Sequence, residues 1–104
     1  MKAPGAIFNM YIYILKCNDG SYYTGVTNCL ERRLIEHHTG LNPTCYTFYR
    51  RPLELVYHPG FLSIVKSIEV EKRIKKWSRK KKKALINGDY DLLIELAKKK
   101  FIKD

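Results

Sequence analysis

The sequence is short of acids, short of cysteine and without a long apolar run, and each shortage excludes something. Only 10 of 104 residues are Asp or Glu, against 20 Lys and Arg, so the net charge is +10. A balance that basic says little about fold, but it directs the chain toward polyanions, either nucleic acid or an anionic surface. No apolar stretch approaches the ~20 residues of a membrane span, so the expectation is a soluble, cytoplasmic protein. The three cysteines, Cys17, Cys29 and Cys45, are odd in number and form no CxxC pair. With no signal-peptide pattern, they are expected as free thiols in a reducing compartment. Structural zinc needs close Cys/His pairs, and the adjacent His37 and His38 cannot point both rings the same way on a helix. Also missing are a Gly-rich phosphate loop, a GxSxG elbow and an HExxH pair, which leaves no signature of a small-molecule cofactor.

What remains is a basic, tyrosine-rich chain of single-domain length. Eight tyrosines accompany one tryptophan. The charge is unevenly placed: residues 53–104 hold fourteen of the twenty cations. Nine of the twelve positions from Lys72 to Lys83 are Lys or Arg, and no acid occurs from Lys72 to Gly88. Such a run is commonly a solvated helix face. Unrelieved like charges repel, however, at a cost in stability, and binding to a nucleic-acid backbone is the better account. The candidate contacts are Lys72, Arg73, Lys75, Lys76, Arg79, Lys80, Lys82 and Lys83.

Residues 1–9 show no periodicity and read as a loose extension before one domain, 10–104. Tyr11–Leu15 and Tyr22–Thr27 are β-branched and aromatic, and Asn18-Asp19-Gly20 between them signals a hairpin. The register matters. A two-residue loop would place Tyr13 and Tyr23 on opposite faces. A three-residue loop with Gly20 in the left-handed region pairs Leu15 with Tyr23 and puts both tyrosines on one face, and that register is the expected one. A helix follows, with an Asn28-x-x-Glu31 capping pattern, a stop at Gly40 and a buried stripe of Leu30, Leu34 and Ile35 or His38. Arg33 and His37, i and i+4, flank that stripe. Residues 39–52 read as loop and Leu53–Tyr57 as a third strand ended by Pro59-Gly60. Ser63–Arg79 reads as a helix through Val70, Ile74 and Trp77, with Ile64, Ile68 and Glu71 alongside. A short helix over Lys80–Ile86 and an amphipathic one over about 90–101 complete an α+β domain: a three-stranded, mainly antiparallel sheet flanked by helices.

Tyr11-Ile12-Tyr13, followed by Tyr23-Thr24-Gly25, resembles the paired motifs of the GIY-YIG nuclease superfamily. The likeness continues through Leu30-Glu-Arg-Arg33, His37-His-x-Gly40, Tyr46-Thr47, Arg50-Arg-Pro-Leu-Glu-Leu-Val-Tyr57 and Glu71-x-x-Ile-Lys-Lys-Trp-Ser-Arg79 to Ile86. It is similar to the small stand-alone bacterial members, with the core match at 11–86. The first motif departs in reading Tyr-Ile-Tyr rather than Gly-Ile-Tyr. The resemblance implies that Tyr13 and Tyr23 position or deprotonate the attacking water, that Arg33 binds the scissile phosphate and that His37 transfers protons. It further implies that Glu71 holds a divalent metal, Mg²⁺ in the usual case, with Asn87 the candidate for an asparagine some members carry downstream. The implied activity is metal-dependent endonucleolytic hydrolysis of nucleic acid, DNA ahead of RNA. The rival reading is a binding module on the same scaffold, with cleavage lost or dependent on a partner. A third idea is a protein-interaction role for the helix at 90–101. Oligomeric state is open. Without the resemblance, Tyr13 and Tyr23 would read as strand packing residues, Arg33 as an ion-pair partner of Glu36 and Glu71 as a partner of Lys75.

Overall fold

A computed structural model describes residues 9–102, and side chains over 10–97. Four strands and four α-helices follow in the order β1 (Asn9–Lys16), β2 (Tyr22–Thr27), α1 (Leu30–Thr39), β3 (Glu54–Tyr57), β4 (Phe61–Ser63), α2 (Ile64–Lys75), α3 (Arg79–Asn87) and α4 (Tyr90–Ile102), with a 3₁₀ turn at Phe48–Arg50 between α1 and β3. β1 is central: β2 pairs antiparallel on one edge, while β3 and β4 pair antiparallel along the other. The expected antiparallel sheet is present and carries a fourth strand, β4, whose three residues are too few to show a period. β1 starts at Asn9, which faces Ser63; the rest of the expected extension, 1–8, lies outside the described residues.

The hairpin has the three-residue loop. Cys17 N donates to Ser21 O at 2.8 Å, Gly20 N donates to Cys17 O at 2.9 Å, and Leu15 faces Tyr23. Gly20 makes the turn possible with φ +85°, a region that costs a residue with a Cβ about 1–2 kcal/mol. Because side chains alternate, Tyr13, Leu15 and Tyr23 look to one face and Ile12, Ile14 and Thr24 to the other. Both faces are covered. Tyr13 meets α1, while Ile14 packs with Ile74 of α2 and Leu85 of α3, closed by Tyr22, Val56, Val70 and Trp77. Covering both sides buries Ile12, Tyr13, Ile14 and Leu15 to 1% exposure or less, which makes β1 the rigid spine that presents Tyr13.

Several local expectations need correction. The cap of α1 is Cys29, which makes no side-chain cap bond. Thr27 Oγ1 accepts from Cys29 N at 3.1 Å, and Asn28 Oδ1 accepts from Arg32 at 3.1 Å, so the Asn28–Glu31 capping pair is not formed. The buried position of α1 is His37; Ile35 is 59% exposed and His38 is exposed. In α2 the fully buried small residue is Ser67, and Ile68 lies 41% exposed. The expected helix 63–79 ends early: α2 stops at Lys75, and the short helix expected over Lys80–Ile86 is α3, capped by Ser78, which accepts from Lys81 N at 3.2 Å. Gly40 ends α1 as expected, at φ +68°, with Leu41 N donating to Glu36 O at 3.1 Å. The side chains of residues 98–101, in the expected amphipathic helix, lie outside the described ones.

Candidate active site

The site is built where the β1–β2 hairpin, α1 and the 45–50 loop meet. On the face of β1 that α1 covers, the Tyr13 hydroxyl reaches His37 Nε2 at 2.8 Å, and the other ring nitrogen, Nδ1, is 2.8 Å from Thr47 Oγ1. All three residues are buried, to 1%, 3% and 1% exposure. Tyr23, half-buried on the same face, sets its ring 5.2 Å from His37 and 6.3 Å from Tyr13, and stacks on Tyr46 at 6.2 Å. Arg33, one helical turn before His37, donates to Glu36 at 2.9 Å and keeps its side chain 28% exposed. The structure thus brings Tyr13, Tyr23, Arg33 and His37 together.

Gly25 has a steric reason to be glycine. It faces Tyr13 across the hairpin, and a Cβ there would lie 2.5 Å from the Tyr13 hydroxyl oxygen. That phenol is held by His37 and cannot swing aside cheaply.

The electrostatics follow from burial beside a cation. Burial, and then the Arg33 charge, hold the His37 imidazole neutral, its pKa down to about 4. Burial and then neighbouring Tyr23 push the Tyr13 phenol well above its usual range, against the pull of Arg33. Partial burial works against the Arg33 charge, but Glu36 and the Tyr13 and Tyr23 phenols outweigh it, so Arg33 is a fixed cation. Burial alone would raise the Cys45 thiol; hydrogen bonding to Thr47, the Arg33 charge and Tyr23 outweigh it and hold it below its ordinary value.

The loop carrying Thr47 is anchored to the hairpin turn. Arg50 Nε donates to Asp19 at 3.2 Å, Tyr46 OH donates to Ser21 Oγ at 2.9 Å, and Asn18 N donates to Arg50 O at 2.8 Å. Thr47 and Cys45 are site residues to which the sequence pattern assigns no role, while Glu36 is the ion-pair partner of Arg33 that helical spacing suggests. Tyr46-Thr47 stands in the motif string, but the pairing of Thr47 with His37 requires the loop to fold back over α1.

The remaining candidates lie on or beyond α2. Glu71 is on α2, its side chain 16% exposed, with one carboxylate oxygen 3.1 Å from Lys75 Nζ. Asn87 is the exposed last residue of α3. Among the described residues no group of three His, Cys, Asp or Glu side chains comes together as a metal site, and no helix is long and apolar enough to cross a membrane. The basic run is not one uniform face. Arg79 turns back to donate to Gly20 O and sits over the Tyr22 ring. Lys75 is taken by Glu71, and burial, then Lys75, lower the pKa of Lys82. Lys72, Arg73, Lys76, Lys80 and Lys83 are exposed, and the first three line a cavity of about 350 Å³ against Trp77 and Glu69.

With that geometry in place, the family model for the GIY-YIG catalytic domain matches residues 9–84. The chain belongs to the GIY-YIG family. A UPF0213 protein of Bacillus pumilus is 49% identical over 74 residues, 71% of this chain and 74% of the relative. One of Staphylococcus saprophyticus is 46% identical over 77 residues, 74% of this chain and 93% of its own. Among solved structures, a UPF0213 protein from Bacillus halodurans aligns at TM-score 0.51 and 40% identity, covering 76% of this chain and 83% of that one. A protein from Enterococcus faecalis aligns at TM-score 0.56 and 34% identity, covering 79% and 86%. The GIY-YIG domain supports a nuclease-type function and implies a nucleic-acid substrate.

Two expectations follow. Gly25→Ala displaces the Tyr13 phenol and destabilises the fold by about 1–3 kcal/mol, the range for overpacking a buried site; a denaturant melt with an unchanged midpoint would contradict the contact. Because the folded-state pKa of His37, about 4, lies below the ordinary value near 6.5, the unfolded chain binds the proton more readily. The stability from His37 is therefore full above about pH 6.5 and falls as pH drops toward 4, by on the order of 2–3 kcal/mol. Melts between pH 4 and 8 on wild type and His37→Gln should show the slope only in the wild type.

Proposed function

We propose that this chain is an endonuclease that hydrolyses nucleic-acid phosphodiester bonds, with DNA its first substrate class and Mg²⁺ its divalent metal. The observation that carries the reading is the convergence of Tyr13, His37, Tyr23 and Arg33 on one face of the hairpin beside α1.

Hydrolysis needs a water oxygen to form a bond to phosphorus, a proton to leave that water, and the bond to the leaving oxygen to break. Negative charge grows on the non-bridging oxygens, where a fixed cation stabilises it. Arg33 suits that role: it stays charged and part-exposed, and its guanidinium has five N–H donors, of which Glu36 uses Nη1. Tyr23, the more exposed of the two tyrosines, orients the water. Tyr13 and His37 lie behind it as a proton-accepting pair: as a proton leaves the water for the phenol oxygen, the phenol proton passes to Nε2, and the return path delivers a proton to the leaving oxygen. Burial is the main reason His37 stays neutral and the Arg33 charge the second; a phosphate on Arg33 offsets that second part, which raises the basicity of the imidazole when substrate is bound.

Glu71 offers the hard oxygen donor that Mg²⁺ prefers, and one carboxylate is enough because this ion keeps waters and substrate oxygens in its shell. When bound, such an ion supplies Lewis-acid stabilisation of the phosphoryl oxygens. The exposed cations Lys72, Arg73, Lys76, Lys80 and Lys83 bind the nucleic-acid backbone. Phosphate contacts of that kind fix register without reading sequence. The competing account, a binding module that does not cleave, draws on the ion pairs of Arg33 with Glu36 and of Glu71 with Lys75, which compete with a phosphate and a metal for those groups.

Cleavage of duplex, single-stranded, nicked and branched DNA, and of RNA, in Mg²⁺ or EDTA tests the reading. Arg33→Ala and Glu71→Ala should each lower the rate by about 10²-fold or more, as loss of a transition-state contact does. Cleavage that survives both substitutions sinks the mechanism, and tight binding with no cleavage of any substrate favours the binding module. Binding itself should weaken with salt at a log–log slope of about −0.9 per phosphate neutralised. The triple variant Lys72→Gln, Arg73→Gln, Lys76→Gln should flatten that slope by about 2–3; an unchanged slope removes this face from the interface.

A further inference from the structure

Thr47 is buried, contributes nothing to the sheet and belongs to no element of the proposed chemistry, yet among the described residues its hydroxyl is the nearer of two side-chain groups at His37 Nδ1, at 2.8 Å against 4.0 Å for Cys45 Sγ. A neutral imidazole carries one proton, and its two nitrogens do different work according to which holds it. The donors and acceptors around His37 can be counted. Arg33, which acts on the Tyr13 phenol, has only N–H groups and can only donate. The buried Tyr13 proton therefore has to go to an acceptor, and His37 Nε2 at 2.8 Å is the one in place. Nε2 must then be bare and Nδ1 protonated. At the far end, Thr47 Oγ1 donates its single proton to Cys45 Sγ at 3.4 Å, which leaves the hydroxyl oxygen as an acceptor for Nδ1–H. The chain Tyr13 O–H to Nε2, Nδ1–H to Thr47 Oγ1, Thr47 O–H to Cys45 Sγ closes with every proton used once.

We propose that Thr47 is a positioning residue: its hydroxyl fixes His37 as the Nδ1–H tautomer, so that the Nε2 lone pair faces Tyr13 and can receive its proton. The role is that of the outer partner which orients a functional histidine through its second nitrogen, a device familiar from metal-binding histidines. With the opposite tautomer, Nε2–H would donate to the phenol oxygen, and Tyr13 would have nowhere to send its proton. Cys45 enters as the acceptor that polarises the Thr47 hydroxyl; the anchoring of the loop by Arg50–Asp19 and Tyr46–Ser21 keeps Thr47 over α1.

The inference rests on the proton-transfer reading of His37 for its catalytic consequence, but the tautomer is measurable without any activity. Long-range ¹H–¹⁵N NMR on the ¹⁵N-labelled full chain should show His37 with Nδ1 protonated and Nε2 carrying the lone pair. Thr47→Val should reverse or mix that pattern, and Thr47→Ser should restore it. Should valine not fold, Thr47→Ala, which cannot overpack the site, takes its place. In the cleavage assay, Thr47→Val should lower kcat about 10–100-fold, the scale seen when an orienting partner is lost, with KM within about twofold and Thr47→Ser near wild type. A wild-type spectrum showing Nε2–H, or a Thr47→Val spectrum with the tautomer unchanged, overturns the proposal. If the chain cleaves nothing, the endonuclease reading fails while the spectra still decide the role of Thr47.

Discussion

The hydrogen bond from Tyr13 to His37 sits at the meeting point of three elements of the chain. Tyr13 lies on the central strand, His37 on the first helix, and Thr47, on the other side of the imidazole, in the loop that follows. Each end constrains its surroundings. The phenol lies so close to the backbone of β2 that only glycine fits at position 25. The imidazole takes the most buried position of α1, where an apolar residue would ordinarily sit. Placing a polar ring there costs stability unless both nitrogens are satisfied. Tyr13 and Thr47 satisfy them, so the site is also part of the core.

That arrangement explains the division of labour among the polar groups. Tyr13 and His37 are shut away from water, which keeps both neutral. Tyr23 and Arg33 stand between them and solvent. In the endonuclease reading proposed above, a substrate phosphate meets the cation and the outer tyrosine, and protons move in the layer beneath. In that reading the relay matters because a phenol near pKa 10 is a weak base at neutral pH, and Tyr13 can take up a proton only by passing its own to His37 Nε2.

Much of this frame is legible in the residues, and the gaps have physical causes. The hairpin register follows from loop length and from Gly20, because only one pairing lets the left-handed residue fall on a glycine and keeps both tyrosines on one face. Gly40 and Gly88 mark helix ends for the same conformational reason. Local rules fail where a competitor is present. Asn28 has the chemistry of a cap, but Thr27 satisfies the backbone and Arg32 takes the Asn28 side chain. The burial of His37 instead of Ile35 is invisible to hydrophobic periodicity, which ranks isoleucine inside; the hydroxyls that reverse the order come from 24 residues before and 10 residues after. Strand β4 is hidden because three residues carry no period, and it becomes a strand only because the first half of β1 has an open edge.

The basic helices raise a different constraint, since nine cations without an acid must be disposed of somewhere. Part of the charge is engaged by contacts within the chain: Arg79 caps the hairpin turn through Gly20 O, and Lys75 meets Glu71. On the opposite side of the same turn, Arg50 from the site loop meets Asp19. The turn is thus held from both sides by arginines whose charges are spent on structure, leaving Lys72, Arg73, Lys76, Lys80 and Lys83 facing outward. Two populations of cation within one run follow from this, one held by contacts within the chain and one, in the proposed reading, left to meet nucleic acid. Removing the second leaves the hairpin, and with it the Tyr13–His37 pair, untouched. Removing Arg79 loosens the turn that carries both Tyr23 and the anchor of the Thr47 loop, so a change on α3 reaches the site through that residue as well as through the packing of Leu85 on Ile14.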